Sequence, residues 1–529
     1  MTRRELLLLG AGLLGGCRRG DERRITGSFV GASHEIGHLL RGGSIPSPSR
    51  EKRVPVVIVG AGIAGLSAGW KLSREGFHDF EILELENEAG GNARSGENQI
   101  SAYPWGAHYV PLPTKESRLV RELFEELGII TGYDGRHEPI YKDEYLCFDP
   151  QERLYIHGRW QEGLLPTLGA SQQDHDDFER FRDIIDTYKS REKFTIPMEL
   201  SSRDDDLLRL DLMSMSGFLK DRGLDSPALH WYVNYACRDD YGCNYNDVSA
   251  WAGIHYFASR DVEEGTVLTW PEGNGWIVKR LREKLATRIT TGSLVFHVSH
   301  DYVDVYDVRE RLSTRIRAEH VIFACPTYLA KHLMEKPPPV EEFEYAPWLV
   351  ANLSLDSFPQ QRAGVPIAWD NVIYDSDSLG YVVATHQRLN TYQPQTVFTY
   401  YYPLTGPSPA KERTRLLNTT WQVWVDFILA DLAKPHPEIR GLVRNIDIMR
   451  WGHAMIRPRP GFIWSEARRK AAEPLGNIYF AHSDLSGFSI FEEAQYRGVV
   501  AAERILNIRA DSYATPSARR AWTLATARI

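Results

Sequence analysis

The chain has 529 residues, 43% of them hydrophobic and 11% aromatic, enough to bury a large core in two or more joined lobes. Its net charge of −8 offers no basic surface for nucleic acid, and acidic runs such as Asp204-Asp205-Asp206 suit cations or water instead. The cysteines are Cys17, Cys147, Cys237, Cys243 and Cys325, with no CxxC and no metal-ligand spacing, although Cys237 and Cys243 are candidates for a disulfide in an oxidising compartment.

The chain opens with Arg3-Arg4, an apolar run from Leu6 to Leu14, and then Leu14-Gly15-Gly16-Cys17. The run is too short to cross a bilayer of about 30 Å and fits a signal-peptide core. The twin arginine resembles signals read by the machinery that exports folded proteins. LGGC resembles the box after which a bacterial lipoprotein is cut and acylated on its cysteine. The expectation is an export signal over residues 1–17 and a periplasmic or envelope protein anchored to the membrane by lipid on Cys17; an uncleaved N-terminal anchor is the alternative. Folded export suits a protein that loads a cofactor first.

Residues 18–52 read as a lead-in segment that docks on the following domain. It contains His34-Glu35-Ile36-Gly37-His38, the spelling of a zinc-peptidase helix. A catalytic zinc needs a third protein ligand and a rigid helix. The extended motif would want Gly at 41 and His at 44, where Arg41 and Ser44 stand, and Gly31, Gly37, Gly42, Gly43, Pro46 and Pro48 make a poor helix. No metal site is expected.

From residue 54, VPVVIVGAGIAGLSAGWKLSREGFHDFEILELENEAGG reads as a buried strand, a glycine turn, a helix and a second strand ending near Glu84. Gly60 permits the tight turn, Gly62 lets the backbone approach a pyrophosphate, and Gly65 lets the helix pack against the strand. Ala64 lies in the first helical turn, whose free N–H groups and dipole face the phosphates. Glu84, 19 residues beyond Gly65, stands where a carboxylate takes hydrogen bonds from ribose hydroxyls.

Six residues past Glu84, Gly90-Gly91 make a second glycine pair, and here the sequence resembles the flavin-containing amine oxidoreductases, the superfamily of amine oxidases, polyamine oxidases and phytoene-desaturase-like enzymes. The resemblance implies FAD, and with no Cys or His at the glycine-pair turn or at the start of the C-terminal helix it is expected to be held without a covalent bond. It continues at WGAHYV, where Gly106 and Ala107 would run along the flavin, and at TWPEGNGWIVKRLREKL. It goes on through the strand around Val295, which in the family meets adenine, to AEHVIFACP. It closes at residues 476–506, where Asp484 takes the family's acidic position near the flavin chain, and Phe491 and Glu492 begin the helix under the pyrimidine edge of the ring. Asn92 replaces the usual arginine of the glycine-pair turn, with Arg94 two residues on. The implied fold is α/β: a Rossmann-like FAD domain of the glutathione-reductase type (residues 53–130, 266–336 and 451–510) interleaved with an α+β substrate lobe (131–265 and 337–450), then a tail at 511–529.

The resemblance implies hydride transfer from an amine or polyamine to the flavin. Trp270, Phe488, Tyr109 and Trp464 are candidates for the aromatic walls, and His108 and His453 for proton transfer. Two departures matter. Asn352 stands where amine oxidases often carry a lysine near the flavin, which points to a quinone or cytochrome as electron acceptor in place of oxygen. Ile490, with Phe488 nearby, stands where the family often has a cage tyrosine. The alternatives are a desaturase or isomerase of an apolar substrate and a non-catalytic flavin-bound envelope protein. An amine site would show aromatic walls with a carboxylate at the far end, a desaturase an apolar tunnel.

Overall fold

The computed structural model describes residues 24–31, 33–260, 266–389 and 393–507. The expected export signal, Cys17 and the tail at 511–529 lie outside the described residues. Among those described, no helix is long and apolar enough to cross a membrane.

Val56–Val59 is buried at every position, as a strand covered on both faces must be. It is the middle of a five-stranded parallel sheet in the order Ile289–Thr291, Phe80–Glu84, Val56–Val59, His320–Phe323, Ile478–Phe480. These strands come from three separated stretches of chain. A four-stranded sheet flanks it, the meander Ser293–Val298, Tyr302–Asp307 and Leu312–Arg317 joined in parallel by Arg50–Arg53.

Two helices start at the carboxyl ends of the parallel strands. Ile63–Arg74 follows the glycine turn, and Phe491–Ile505 follows the last strand. They pack backbone to backbone, since a Cβ on Gly498 would lie 2.1 Å from the Ala64 carbonyl oxygen. That closeness brings both N-termini to one cavity.

The second lobe is an eight-stranded mixed sheet whose spine is Tyr345–Leu355, buried along all 11 residues, antiparallel to both Thr396–Pro403 and Val443–Ile456. Val443–Ile456 runs through residue 450 without a break. Beside the sheet pack Gln172–Ser190, Pro227–Tyr241 and Ala250–Ala258, the first opened by a reciprocal cap between Ser171 and Asp174. The segment before the first parallel strand is tied into both lobes: Phe29–Val30 extends the lobe sheet and Arg50–Arg53 the meander. Cys237 and Cys243 are buried free thiols, not a disulfide; Cys243 instead accepts a 3.0 Å hydrogen bond from Arg457 Nε.

Candidate active site

A cavity of about 950 Å³ runs between the lobes, at the upper end of the range for small-molecule sites. The glycines at one end divide as their neighbours dictate. Gly60 (φ 102°) would place a Cβ 2.8 Å from the Ala324 carbonyl oxygen, and Gly65 one 1.9 Å from that of Gly60. A Cβ on Gly62 would meet nothing within 4 Å, so the space before it is open on the cavity side. Gly62 caps the following helix with no side-chain hydrogen bond, leaving the N–H groups there for a ligand.

Glu84 lines the same end. Its two oxygens accept from Ala61 N–H (2.8 Å) and Glu86 N–H (3.0 Å), each keeping a lone pair for a hydroxyl donor. Burial raises its pKa against the pull of those N–H groups and Arg94. Gly90 and Gly91 take positive φ (133° and 55°), and Gly90 N–H donates to Ala61 O at 2.8 Å, stacking the second glycine turn on the first. Asn92 accepts from Ala107 N–H (2.9 Å) and donates through Nδ2 to Ala454 O (2.7 Å), tying that turn to Gly106-Ala107 and to the lobe. Arg94 pairs with Glu86 at 3.4 Å and lies over the Trp451 ring, behind the wall formed by Asn92 and Ala93. Val295 lines the cavity beside Ser293 and Leu294.

At the other end, Ser489, Ile490, Phe491 and Ala494 line the cavity around the uncapped start of the last helix. Asp484 is placed differently from the expectation. It is fully buried behind the wall, accepting from Thr327 N–H (2.7 Å), Thr327 Oγ1 (2.6 Å) and the Tyr345 hydroxyl (2.5 Å), while His482 and Ser483 face the cavity. Its acidity braces the wall. Glu492 is buried too, and desolvation raises its pKa to about 7. Asn274, also on the lining, holds a buried amide oxygen with no protein partner.

These features fit FAD. The open cradle at Gly62, two uncapped helix N-termini, Glu84 and the orphaned Asn274 oxygen suit a diphosphate, a ribose and a hydrogen-bonding ring system.

Next to Ala107, which lines the cavity, the chain enters an aromatic cluster. The His108 ring lies 4.8 Å from Tyr401, 5.0 Å from Tyr109 and 5.4 Å from Trp369. Tyr401 donates to Gly106 O at 2.8 Å, and Thr269 to His108 O at 2.7 Å, fixing the segment. Burial pushes His108 down to about 4, so it is neutral at physiological pH. Around Tyr109 and Tyr401 gather Asp239, Asp240 and Asp370, with Glu152 next to Asp239 and Asp370. Arg260 is committed to Asp240 at 2.8 and 3.0 Å. Among the described residues no other cation stands within 4 Å of these acids. Burial first, then the neighbouring carboxylates, raise Asp239 to about 7 and Asp370 well above the carboxylate range. Asp239 and Asp370 nonetheless keep partial access to water, and Glu152 is exposed.

Sequence reasoning missed this acid group. Asp239-Asp240 near the end of the helix Pro227–Tyr241 was the one local signal, and nothing local joins it to Glu152 or Asp370. Three expected aromatics lie elsewhere. Trp270 stacks on Trp276 at 5.0 Å in the FAD-domain core, and Phe488 stacks on His255 at 4.6 Å in the lobe core. Trp464 packs edge-on against Trp251. His453 does line the cofactor cavity, stacked on Tyr328 at 4.3 Å, with burial and nearby cations pushing it down to about 3. His34 and His38 also line that cavity; among the described residues, no group of three or more His, Cys, Asp or Glu is placed to hold a metal.

The model of the family described as flavin containing amine oxidoreductase matches residues 63–506. The L-amino acid oxidase of Cerastes cerastes is 33% identical over 110 residues, 21% of this chain and 20% of its own. That of Gloydius halys is 34% identical over 125 residues, 23% of each. The chain thus spans about a fifth of the length of the curated relatives it matches. Putrescine oxidase bound to putrescine superposes with a TM-score of 0.62 at 15% identity, over 86% of this chain and 100% of that one. Cyclohexylamine oxidase from Brevibacterium oxydans gives 0.61 at 15%, over 86% and 99%. A fatty acid isomerase from P. acnes gives 0.59 at 15%, over 85% and 98%. Such identities show the shared fold. With the family match covering most of the chain and the cavity fitting the cofactor, the protein belongs to the flavin-containing amine oxidoreductases and uses FAD.

Proposed function

We propose that the protein oxidises an amine bearing a second, distal ammonium group, a diamine or polyamine. The observation that carries this reading is the acid group of Glu152, Asp239 and Asp370 beside the aromatic cluster, partly open to water and with no cation within 4 Å among the described residues, while the neighbouring Arg260 is committed to Asp240. Carboxylates crowded together and partly desolvated without a paired counter-charge are costly to ionise, and a dicationic substrate brings the missing charge. A wholly apolar substrate would leave them uncompensated, which argues against the desaturase or isomerase reading.

FAD, when bound, supplies the hydride acceptor. The chain's residues do the positioning. The acid group holds the distal ammonium, while Tyr109, Trp369 and Tyr401 confine the carbon chain and exclude water. His108, held neutral, adds no positive charge near the reacting amine, which must itself be neutral to lose hydride. Asn352 anchors the wall: its Nδ2 donates to Pro104 O (3.0 Å) and its Oδ1 accepts from Thr399 (2.7 Å). An amide in place of a lysine supports slow reaction with oxygen and a quinone or cytochrome as acceptor. The Arg3-Arg4 signal and Cys17 support export of the folded, loaded protein and lipid anchoring; Arg3→Lys with Arg4→Lys should trap it in the cytoplasm.

The test is anaerobic stopped-flow bleaching of the bound flavin with monoamines, diamines, polyamines, L-amino acids and polyenes. Diamines or polyamines should bleach fastest. Bleaching by polyenes alone, or faster bleaching by L-amino acids, would overturn the assignment.

A further inference from the structure

Residues 29–31 and 33–41 precede the family match, yet they reach the cofactor cavity. Thr26 N–H donates to Arg444 O (3.0 Å), Ile446 N–H to Thr26 O (2.8 Å), and Phe29–Val30 pairs with Ile448–Met449 on the lobe sheet. The chain then crosses to the FAD domain, where Ser33 binds the Glu86 carboxylate through N–H (2.7 Å) and Oγ (3.0 Å), two residues past the ribose-binding Glu84. Gly37 sits over Leu85, and His34 to Arg41 lines the cavity. At Arg50–Arg53 the chain is held again, by the meander. The segment is therefore a strap fastened to both lobes across the cavity between them.

The strap also carries charge. Arg41, with Arg413 and Lys331, lies near His453 and helps push that imidazole down, and Arg41 and Arg413 line the cavity. Among the described residues Arg41, Lys331 and Arg413 have no carboxylate within 4 Å. A basic collar on a protein of net charge −8 is a local inversion of sign.

We propose that residues 26–31 and 33–43 form a cofactor clasp: they close the FAD cavity over its adenosine end, with Ser33 on Glu86 as the latch and Arg41 completing a positive collar for the diphosphate. The latch slows release of bound FAD, and the collar favours the dianion over an uncharged flavin. This inference rests on FAD as the cofactor; a purified protein carrying FAD establishes that part separately from the clasp.

The experiment follows free-flavin fluorescence after dilution of the full-length holoprotein and titrates apoprotein with FAD and with riboflavin, which lacks the diphosphate. Ser33→Ala should release FAD about tenfold faster, the scale of hydrogen bonds to a charged group. Gly27→Val should do the same from outside the cavity, because Gly27 has φ 134° and its Cβ would fall 1.9 Å from Ile446 O. Arg41→Glu, at an exposed site, should weaken FAD while leaving riboflavin unchanged. Unaltered release from both latch variants would overturn the clasp. Equal weakening of FAD and riboflavin by Arg41→Glu would overturn the collar.

Discussion

Asp239 makes the binding of a dication depend on pH in a calculable way. Buried beside Asp240, it holds its proton up to about 7, against an ordinary 3.8. A cation at the acid group binds the ionised form, so affinity rises with pH until the group is fully ionised. Between pH 6 and 8 the ionised fraction climbs from about a tenth to about nine tenths, and affinity for a fixed dication should rise about tenfold. Asp370 and Glu152 are close enough that the three acids titrate as a unit, and the observed midpoint belongs to the group. The probe should be a bis-quaternary alkane diammonium, which neither loses a proton nor presents an oxidisable N–H. Its binding would be followed calorimetrically or through the flavin absorbance band. Asp239→Asn should weaken binding at pH 8 and flatten the pH dependence. The sign for stability is opposite: the folded pKa is raised, so the ligand-free protein loses stability as pH rises from about 4 towards 7, and the dication should restore it. Affinity that is flat from pH 6 to 8, or equal for an uncharged alkane of the same length, would refute the reasoning.

The remaining predictions concern the cofactor and its wall. Gly62→Val should yield a folded but colourless protein, because its side chain would fill the open cradle; bound FAD in the purified variant would remove the basis for the cofactor site. Glu84→Ala should weaken FAD by about 1.5–3 kcal/mol in titrations of apoprotein. Gly498→Val should lower the melting temperature and loosen FAD together, since any Cβ there meets the Ala64 carbonyl oxygen. Asp484→Ala should cost about 3 kcal/mol or more in denaturant unfolding, leaving Thr327 and Tyr345 donors buried without their acceptor.

The cofactor half of this protein is largely written in local sequence. Gly60, Gly62, Gly65 and Glu84 act through backbone geometry and one carboxylate spaced along a single strand-turn-helix-strand unit, so their roles follow from neighbours in the chain. The later family matches at Gly106, Val295 and Phe491 carry the same information because each belongs to a short local motif: Gly106 between two strands, Val295 within one, and Phe491 at a helix start. Asp484 and Phe488 show where that reading stops. Their chain positions fitted a cavity wall, but a buried acid turns to whichever donors surround it, here Thr327 and Tyr345, and an aromatic ring to the nearest stack, here His255 and Trp251. The acid group and the clasp were decided wholly by tertiary structure. Glu152, Asp239 and Asp370 come from three distant segments, and the HEIGH stretch gained its place by threading between two lobes. No periodicity or spacing encodes such meetings. They arise because sheet pairing and helix packing fix the backbones first, and the electrostatics of the site follow from which side chains are then left facing one another.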